Sequence, residues 1–137
     1  MNNRPVPELQ TDPEFDELIQ PREEKYLEEL EENIFDHGCQ EPVCVWNGII
    51  LDGRLRYKIC TKWDIHFNIR CIMLESRDKA VSFICHEQLK RTDLTGEYKK
   101  YLIGRLFRAD MNTASDEFMK KHPDTEPNAD GQVSQKY

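Results

Sequence analysis

The sequence predicts an α+β fold in which a small mixed sheet with a hairpin packs against several helices. Two short apolar runs, Val43–Trp46 and Ile49–Leu51, flank Asn47-Gly48. An Asn-Gly pair between apolar runs is the strongest short signal for a hairpin, because both turn positions need positive φ. Segments with apolar residues at three- and four-residue spacing precede and follow this hairpin, which indicates helices. The order helix, hairpin, helix, strand, helix, helix differs from the regular alternation of a βαβ series.

A first helix is predicted over Arg22–His37. Pro21 suits the start of a helix, and Gly38 is a residue type that commonly ends one. The apolar residues of this segment lie on one face, and its outer face is acidic and expected to be exposed to solvent. That outer face carries Glu28, Glu29, Glu31 and Glu32.

The segments after the hairpin predict three more helices and one strand. The first two are a helix over Arg54–Lys62, with Leu55, Ile59 and Trp63 toward the core, and a strand over Phe67–Met73 with alternate residues buried. A helix over Arg77–Lys90 capped by Ser76 and a helix from Thr95 to about Arg108 follow. Tyr98, Tyr101 and Phe107 of the last helix are expected in the core, and a dimer face is the alternative. We therefore divide the chain into a flexible N-terminus (1–12), one domain (13–111) and a polar tail or linker (112–137).

Composition narrows the class of protein. Hydrophobic residues make up 38% of the chain, enough for a modest core. The formal net charge of −7 argues against a protein that binds nucleic acid with its whole surface. No apolar run of about 18 residues and no signal-peptide pattern occur, so a soluble, cytoplasmic protein is expected. The five cysteines form no CxxC pair and are expected to be mostly buried thiols.

The end of the second hairpin strand is the candidate site. Gly53 follows Asp52 and allows a sharp turn with close approach of a ligand to the backbone. A helix that begins there directs free N–H groups and the positive end of its dipole to the same place, and Arg54, Arg56 and Lys58 add positive charge. Cations at a helix N-terminus cost about 0.3–1 kcal/mol each, which favours an external anion such as phosphate. The alternatives are a solvated helix start and a helix cap formed by Asp52.

These residues lie within a longer pattern that resembles the N-terminal domain of the ParB partition family and its sulfiredoxin-fold relatives, over roughly residues 13–110. The matching residues are Leu30, Asn33, Ile34, Gly38, Pro42, Val43, Val45, Ile50–Gly53, Arg56–Lys58, Gln88, Leu89, Arg91, Asp93 and Leu94.

The resemblance implies a regulatory domain of a DNA-associated protein of partition or of plasmid or mobile-element maintenance. Several such domains bind CTP with Mg²⁺ and use the nucleotide to switch a dimeric DNA clamp. The DNA would be bound by a region outside this chain, toward which the polar tail would lead. The implied nucleotide-binding residues are Asp52, Gly53, Arg54, Arg56, Tyr57 and Arg91, and the implied metal ligands are Glu87 and Gln88.

Two departures from the family pattern leave alternatives open. Leu55 stands where the family has an arginine and Gln88 where it has an asparagine, so that nucleotide binding without hydrolysis is one outcome. Arg54 and Leu55 stand where sulfiredoxins carry their catalytic cysteine and histidine, which excludes sulfiredoxin chemistry. A metal-assisted nuclease with Asp52, His86 and Glu87 as candidate residues, and a degenerate interaction module that lost its ligand, are the alternatives.

Overall fold

The computed structural model describes residues 8–127 and 133–135 of the 137-residue chain. Its elements are α1 (Pro13–Glu17), α2 (Glu24–His37), β1 (Val43–Trp46), β2 (Ile49–Asp52), α3 (Arg54–Trp63), β3 (Ile69–Cys71), α4 (Arg77–Leu89), α5 (Gly96–Lys121), β4 (Thr125–Pro127) and β5 (Val133–Gln135). The chain divides into two compact units, Met1–Met73 and Leu74–Tyr137. Within the described residues, no helix has the length and hydropathy required to cross a membrane.

The first unit contains the predicted mixed sheet. Its strands lie in the order β2-β1-β3, with β1 antiparallel to β2 and parallel to β3. Asn47 and Gly48 have φ values of 50° and 77°, the left-handed backbone that the turn requires. The α+β fold class and the hairpin are therefore confirmed.

The N-terminal segment differs from the expected flexible region 1–12. Residues 1–7 lie outside the described residues, whereas Gln10 is paired with the edge of the sheet. Its N–H donates to Gly48 O at 2.9 Å, and its carbonyl accepts from Ile50 N–H at 2.9 Å. Helix α1, which the sequence did not predict, follows at once and is capped by Asp12. Five residues are too few to show a helical period in the sequence.

The core of the first unit is formed by residues of the sheet and of the two longer helices, α2 and α3. Val43, Val45 and Ile50 form one buried cluster, and Ile59 belongs to another with α2. The placement of Trp63 in the core was wrong, since its side chain is 45% exposed. The predicted alternation of the third strand is also wrong beyond Ile69, because Cys71 and Met73 are exposed.

In the second unit, α5 packs against α4 and is longer than expected. It ends at Lys121 rather than near Arg108, so the residues expected to begin the polar tail are helical. Pairs with α4 explain this extension, namely Asn112 Nδ2 donating to Asp78 Oδ1 at 3.3 Å and Lys79 Nζ lying 3.7 Å from Glu117 Oε1.

The aromatic residues of α5 do not form the expected core stripe. Leu102 and Ala109 are buried, whereas Tyr101 is 39% exposed and Phe107 is 68% exposed. After α5, strands β4 and β5 pair in antiparallel fashion.

The expectation of buried thiols is confirmed for three of the five cysteines, all of which are free. Cys44, Cys60 and Cys85 are buried, Cys39 is half-buried and Cys71 is exposed. Burial raises the pKa of the Cys85 thiol to about 11. Cys85 therefore behaves as a small apolar core residue of the second unit.

Candidate functional site

The turn between β2 and α3, which we call the elbow (Asp52–Arg56), is built on a left-handed glycine. Gly53 has φ 101° and ψ 25°, a conformation that side-chain-bearing residues rarely adopt. The first hydrogen bond of α3 runs from Tyr57 N–H to Gly53 O at 2.9 Å. The N–H groups of the helix's first turn therefore point out of its N-terminal end.

No side chain caps this end of α3 in the part of the chain that the structure describes. The interpretation of Asp52 as a helix cap is thus wrong, and its carboxylate is used elsewhere. Asp52 Oδ2 accepts from Arg56 Nη2 at 3.3 Å. Because the helix start lacks a capping side chain, its backbone donors are open to an acceptor from outside the helix.

Arg56 lies over the glycine of the elbow. Its Nη2 also donates to Pro42 O at 2.9 Å, and its Nη1 donates to Glu41 Oε2 at 3.3 Å. Its side chain is 17% exposed, and its Nε is buried without a partner among the described residues. A Cβ added to Gly53 would lie 2.9 Å from Arg56 Nη2. Glycine is therefore needed at this position for space as well as for its backbone conformation.

Arg54 and Tyr57 make contacts with the N-terminal segment. Arg54 Nη1 lies 3.2 Å from Asp16 Oδ1, and both side chains are about one-third exposed. The hydroxyl of Tyr57 accepts from Leu9 N–H at 3.2 Å, and its ring meets Phe67 edge to face at 5.7 Å. Tyr57 thus packs against the core of its unit, whereas Arg54 lies at the surface of the elbow.

The remaining predicted residues lie at the end of α4, in the second unit. Arg91 forms a two-pronged pair with Asp93, from Nε to Oδ1 and from Nη2 to Oδ2, each at 2.8 Å. Its Nη1 donates to Gln88 Oε1 at 2.9 Å, and its side chain is 7% exposed. Gln88, Arg91 and Asp93 therefore form one hydrogen-bonded cluster in which the charge of Arg91 is paired with a carboxylate.

The two predicted metal ligands differ in availability. The buried Gln88 uses its amide oxygen to accept from Arg91, so as arranged it does not fit the role of a metal ligand. Glu87 is part-exposed, and its carboxylate forms a surface pair with Lys90 at 2.9 Å. A single carboxylate fits a magnesium ion that keeps most of its water or takes oxygens from a phosphate ligand. The described residues contain no group of three or more His, Cys, Asp or Glu side chains placed to hold a metal ion.

Sequence reasoning missed the acidic partners of the site. Glu41 pairs with Arg56, Asp16 pairs with Arg54, and Asp93 pairs with Arg91. Asp93 is two residues from its arginine, a spacing visible in the sequence, whereas Asp16 and Glu41 are brought to the elbow only by the fold.

The sequence matches no protein-family model and no curated protein. In fold it is similar to the solved structure of the C2221 form of a pNOB8-like ParB-N domain, with a TM-score of 0.62 and 22% identity. It is also similar to a second solved structure of the pNOB8-like ParB N-domain, with a TM-score of 0.59 and 18% identity. The match covers 93% of this chain in both comparisons and 53% and 50% of the two solved chains.

These matches define the fold. The chain has an α+β architecture of five helices and a three-stranded mixed sheet, with a further two-stranded antiparallel sheet, among the described residues. More particularly, this is a ParB N-domain-like fold, as the resemblance in the sequence predicted. The chain spans about half the length of the solved structures that it matches.

Proposed function

We propose that this chain is a ParB-like regulatory domain that binds a phosphate-bearing ligand, a nucleotide such as CTP, at the elbow. The observation that carries the proposal is the uncapped N-terminus of α3 behind the left-handed Gly53. A helix start of this kind presents backbone N–H donors and a positive dipole end, which together favour an anion. Arg54 and Arg56 stand in the same helical turn and supply guanidinium donors that match phosphate oxygens.

Each of the two arginines has one contact with a carboxylate that a phosphate can replace. The pair between Arg54 and Asp16 is part-exposed, and exposed pairs contribute only about 0–1 kcal/mol. The Glu41 side chain is 78% exposed, and its 3.3 Å contact with Arg56 is longer than the 2.7–2.9 Å usual for charge-assisted hydrogen bonds. A phosphate group would take the place of Glu41 on Arg56 while the contact with Pro42 O keeps the guanidinium in position.

The net negative charge around the elbow limits its affinity for an anionic nucleotide. Two guanidinium groups face the three carboxylates of Asp16, Glu41 and Asp52, a formal balance of −1. The leucine at position 55 adds no cation. We therefore expect CTP to bind more tightly with Mg²⁺ than alone, because the cation neutralises part of the triphosphate charge.

Calorimetry with CTP, ATP, GTP and UTP, with and without Mg²⁺, tests the proposal. Arg54→Ala is expected to weaken nucleotide binding about tenfold, the equivalent of about 1.4 kcal/mol. Lys58→Ala is the matched control. The sequence grouped Lys58 with the cations of the elbow, but the structure places it exposed and outside the first turn of α3. Glu41→Gln is expected to tighten binding, since it releases Arg56 from one carboxylate.

Two results contradict nucleotide binding at the elbow. One is the absence of heat at millimolar nucleotide with a protein that circular dichroism shows to be folded. The other is equal weakening by Arg54→Ala and Lys58→Ala, which indicates a general charge effect rather than a site.

A second candidate function is an interaction module that kept the fold and lost the ligand. The observation that favours it is that both Arg56 and Arg91 are paired with carboxylates of this chain. Self-association without nucleotide, measured by light scattering, together with no calorimetric response, would support this candidate. Association with DNA is part of the main proposal. Incubation of the chain with plasmid DNA and Mg²⁺ or Mn²⁺ tests the nuclease alternative. DNA cleavage that Glu87→Ala abolishes would support that alternative.

A further inference from the structure

An exposed aromatic pair is formed by one residue of α2 and one of α3, and neither belongs to the elbow. The side chain of Phe35 is 64% exposed and that of Trp63 is 45% exposed, and the two rings meet edge to face with centroids 5.7 Å apart. With Glu28, Glu31 and Glu32 they line a shallow cavity of about 390 Å³, which we call the aromatic groove. Large apolar side chains that lie together in water, rimmed by polar residues, mark interaction sites more often than isolated ones do.

The α2 side of the aromatic groove is strongly acidic. Glu28 and Glu32 are one helical turn apart, and Glu24 and Asp36 continue the same row at four-residue spacing. Like charges at this spacing repel one another and destabilise a helix. Glu28 and Glu32 form no ion pair within the part of the chain that the structure describes. The helix thus carries a repulsion that a bound cation would relieve.

One ammonium group is already held at this surface. Lys62 Nζ lies 3.2 Å from Glu31 Oε1 and 4.9 Å from the centroid of the Trp63 ring. Trp63 Nε1 donates to the same carboxylate oxygen at 2.7 Å, which fixes the indole ring. The hydrogen bonds from Trp63 and Lys62 lower the pKa of Glu31, so it is ionised at neutral pH. A cation at this surface is therefore stabilised by a carboxylate and by the electron-rich face of an indole together.

We propose that the aromatic groove binds a segment of a partner protein that carries lysine or arginine side chains. Charge complementarity selects this occupant, because the groove offers two carboxylates without an ion pair beside two exposed rings. The aliphatic part of a basic side chain would pack on Phe35 and Trp63 while its charged end pairs with Glu28 and Glu32. Aromatic residues and arginine dominate the binding energy of many interfaces, which makes this combination an effective anchor. Nucleic acid is disfavoured here because its phosphates would face the same carboxylates.

The probe for this surface is a ten-residue peptide with three arginines and two leucines. It is titrated into the full chain at 150 mM salt, and its counterpart with glutamates in place of the arginines is titrated in parallel. The double variant Glu28→Gln/Glu32→Gln is expected to weaken binding of the basic peptide at least tenfold. The control variant Glu29→Gln/Glu75→Gln removes the same charge at exposed positions that do not line the groove, and is expected to change the affinity less than twofold.

A structural readout separates this site from general attraction to an acidic protein. The indole N–H signal of Trp63 is expected to shift in the NMR spectrum as the basic peptide binds, and that of Trp46 is expected to stay in place. Phe35→Ser is expected to weaken binding without changing the circular dichroism spectrum, because Phe35 is mostly exposed.

Three results would overturn the proposal. They are equal weakening by the two double variants, binding of the acidic peptide as tightly as the basic one, and a dimer of the free chain that Phe35→Ser dissociates. The last result would assign the aromatic groove to a second copy of this chain.

Discussion

Replacing Gly53 with alanine tests how the elbow is built. The backbone at this position has φ 101°, and a side-chain-bearing residue in left-handed backbone costs about 1–2 kcal/mol. The new Cβ would also lie 2.9 Å from Arg56 Nη2 and 3.2 Å from its Cζ. The guanidinium is the end of a flexible side chain, so it would move away rather than remain in overlap.

That movement is costly because of what the guanidinium holds. It donates to Pro42 O at 2.9 Å and pairs with Asp52 at 3.3 Å. The Arg56 side chain is only 17% exposed, so both contacts are largely shielded from water. Loss of a hydrogen bond from a charged group costs about 1.5–3 kcal/mol. Gly53→Ala is therefore expected to lower the free energy of unfolding by about 2.5–5 kcal/mol in total.

Gly48→Ala is the matched control. Gly48 also has positive φ, 77°, but nothing lies within 4 Å of a Cβ built on it. It is expected to cost only the backbone strain of about 1–2 kcal/mol. Urea denaturation followed by circular dichroism measures both changes.

A double-mutant cycle with Arg56→Ala completes the test. In that background the extra cost of Gly53→Ala over Gly48→Ala is expected to disappear, since no guanidinium is left to displace. The reasoning is refuted if the two alanine variants are equally destabilised in the native background, or if the difference between them survives removal of the Arg56 side chain.

Three further predictions concern the second unit. Arg91→Ala is expected to lower the free energy of unfolding by about 1–3 kcal/mol, because it removes the group that donates to the buried amide oxygen of Gln88. Urea denaturation measures this change, and an unchanged midpoint would contradict the prediction. Ser76→Ala removes the side chain that caps α4 and is expected to cost about 1 kcal/mol by the same assay. The pKa of Cys85, raised from 9.0 to about 11, means that the unfolded chain loses this proton at lower pH than the folded one. Stability is therefore expected to fall as pH rises from about 9 to about 11, and Cys85→Ala, but not Cys71→Ala, should make this fall shallower.

Local chemistry made much of the first unit predictable from the sequence. The Asn47-Gly48 turn fixes the hairpin, and β1 has the predicted bounds of Val43–Trp46. The start of α3 at Arg54 also agrees, because Gly53 ends one element and begins the next. In these places the residue that determines the structure lies within or beside the element that it determines.

The features that were not predicted depend on contacts between elements. Helix α1 is held by burial of Phe15, and nothing in its five residues signals a helix by period. Helix α5 runs past Arg108 because Asn112 and Glu117 meet residues of α4. The polar composition of this segment concealed an element that tertiary contacts stabilise.

The candidate site was predictable in part for the same reason. The glycine and the arginines of the elbow are adjacent in the sequence. Their carboxylate partners Asp16 and Glu41 are distant from them in the sequence and come from a helix and a loop that only the fold brings to the elbow.

The most direct test of nucleotide binding at the elbow is an NMR titration of the ¹⁵N-labelled chain with CTP and Mg²⁺. The account predicts saturable downfield shifts of the Arg54, Leu55 and Arg56 amide signals, because these N–H groups would donate to phosphate oxygens. Saturable shifts that leave these three amides unmoved, or no shift at millimolar CTP, would contradict it.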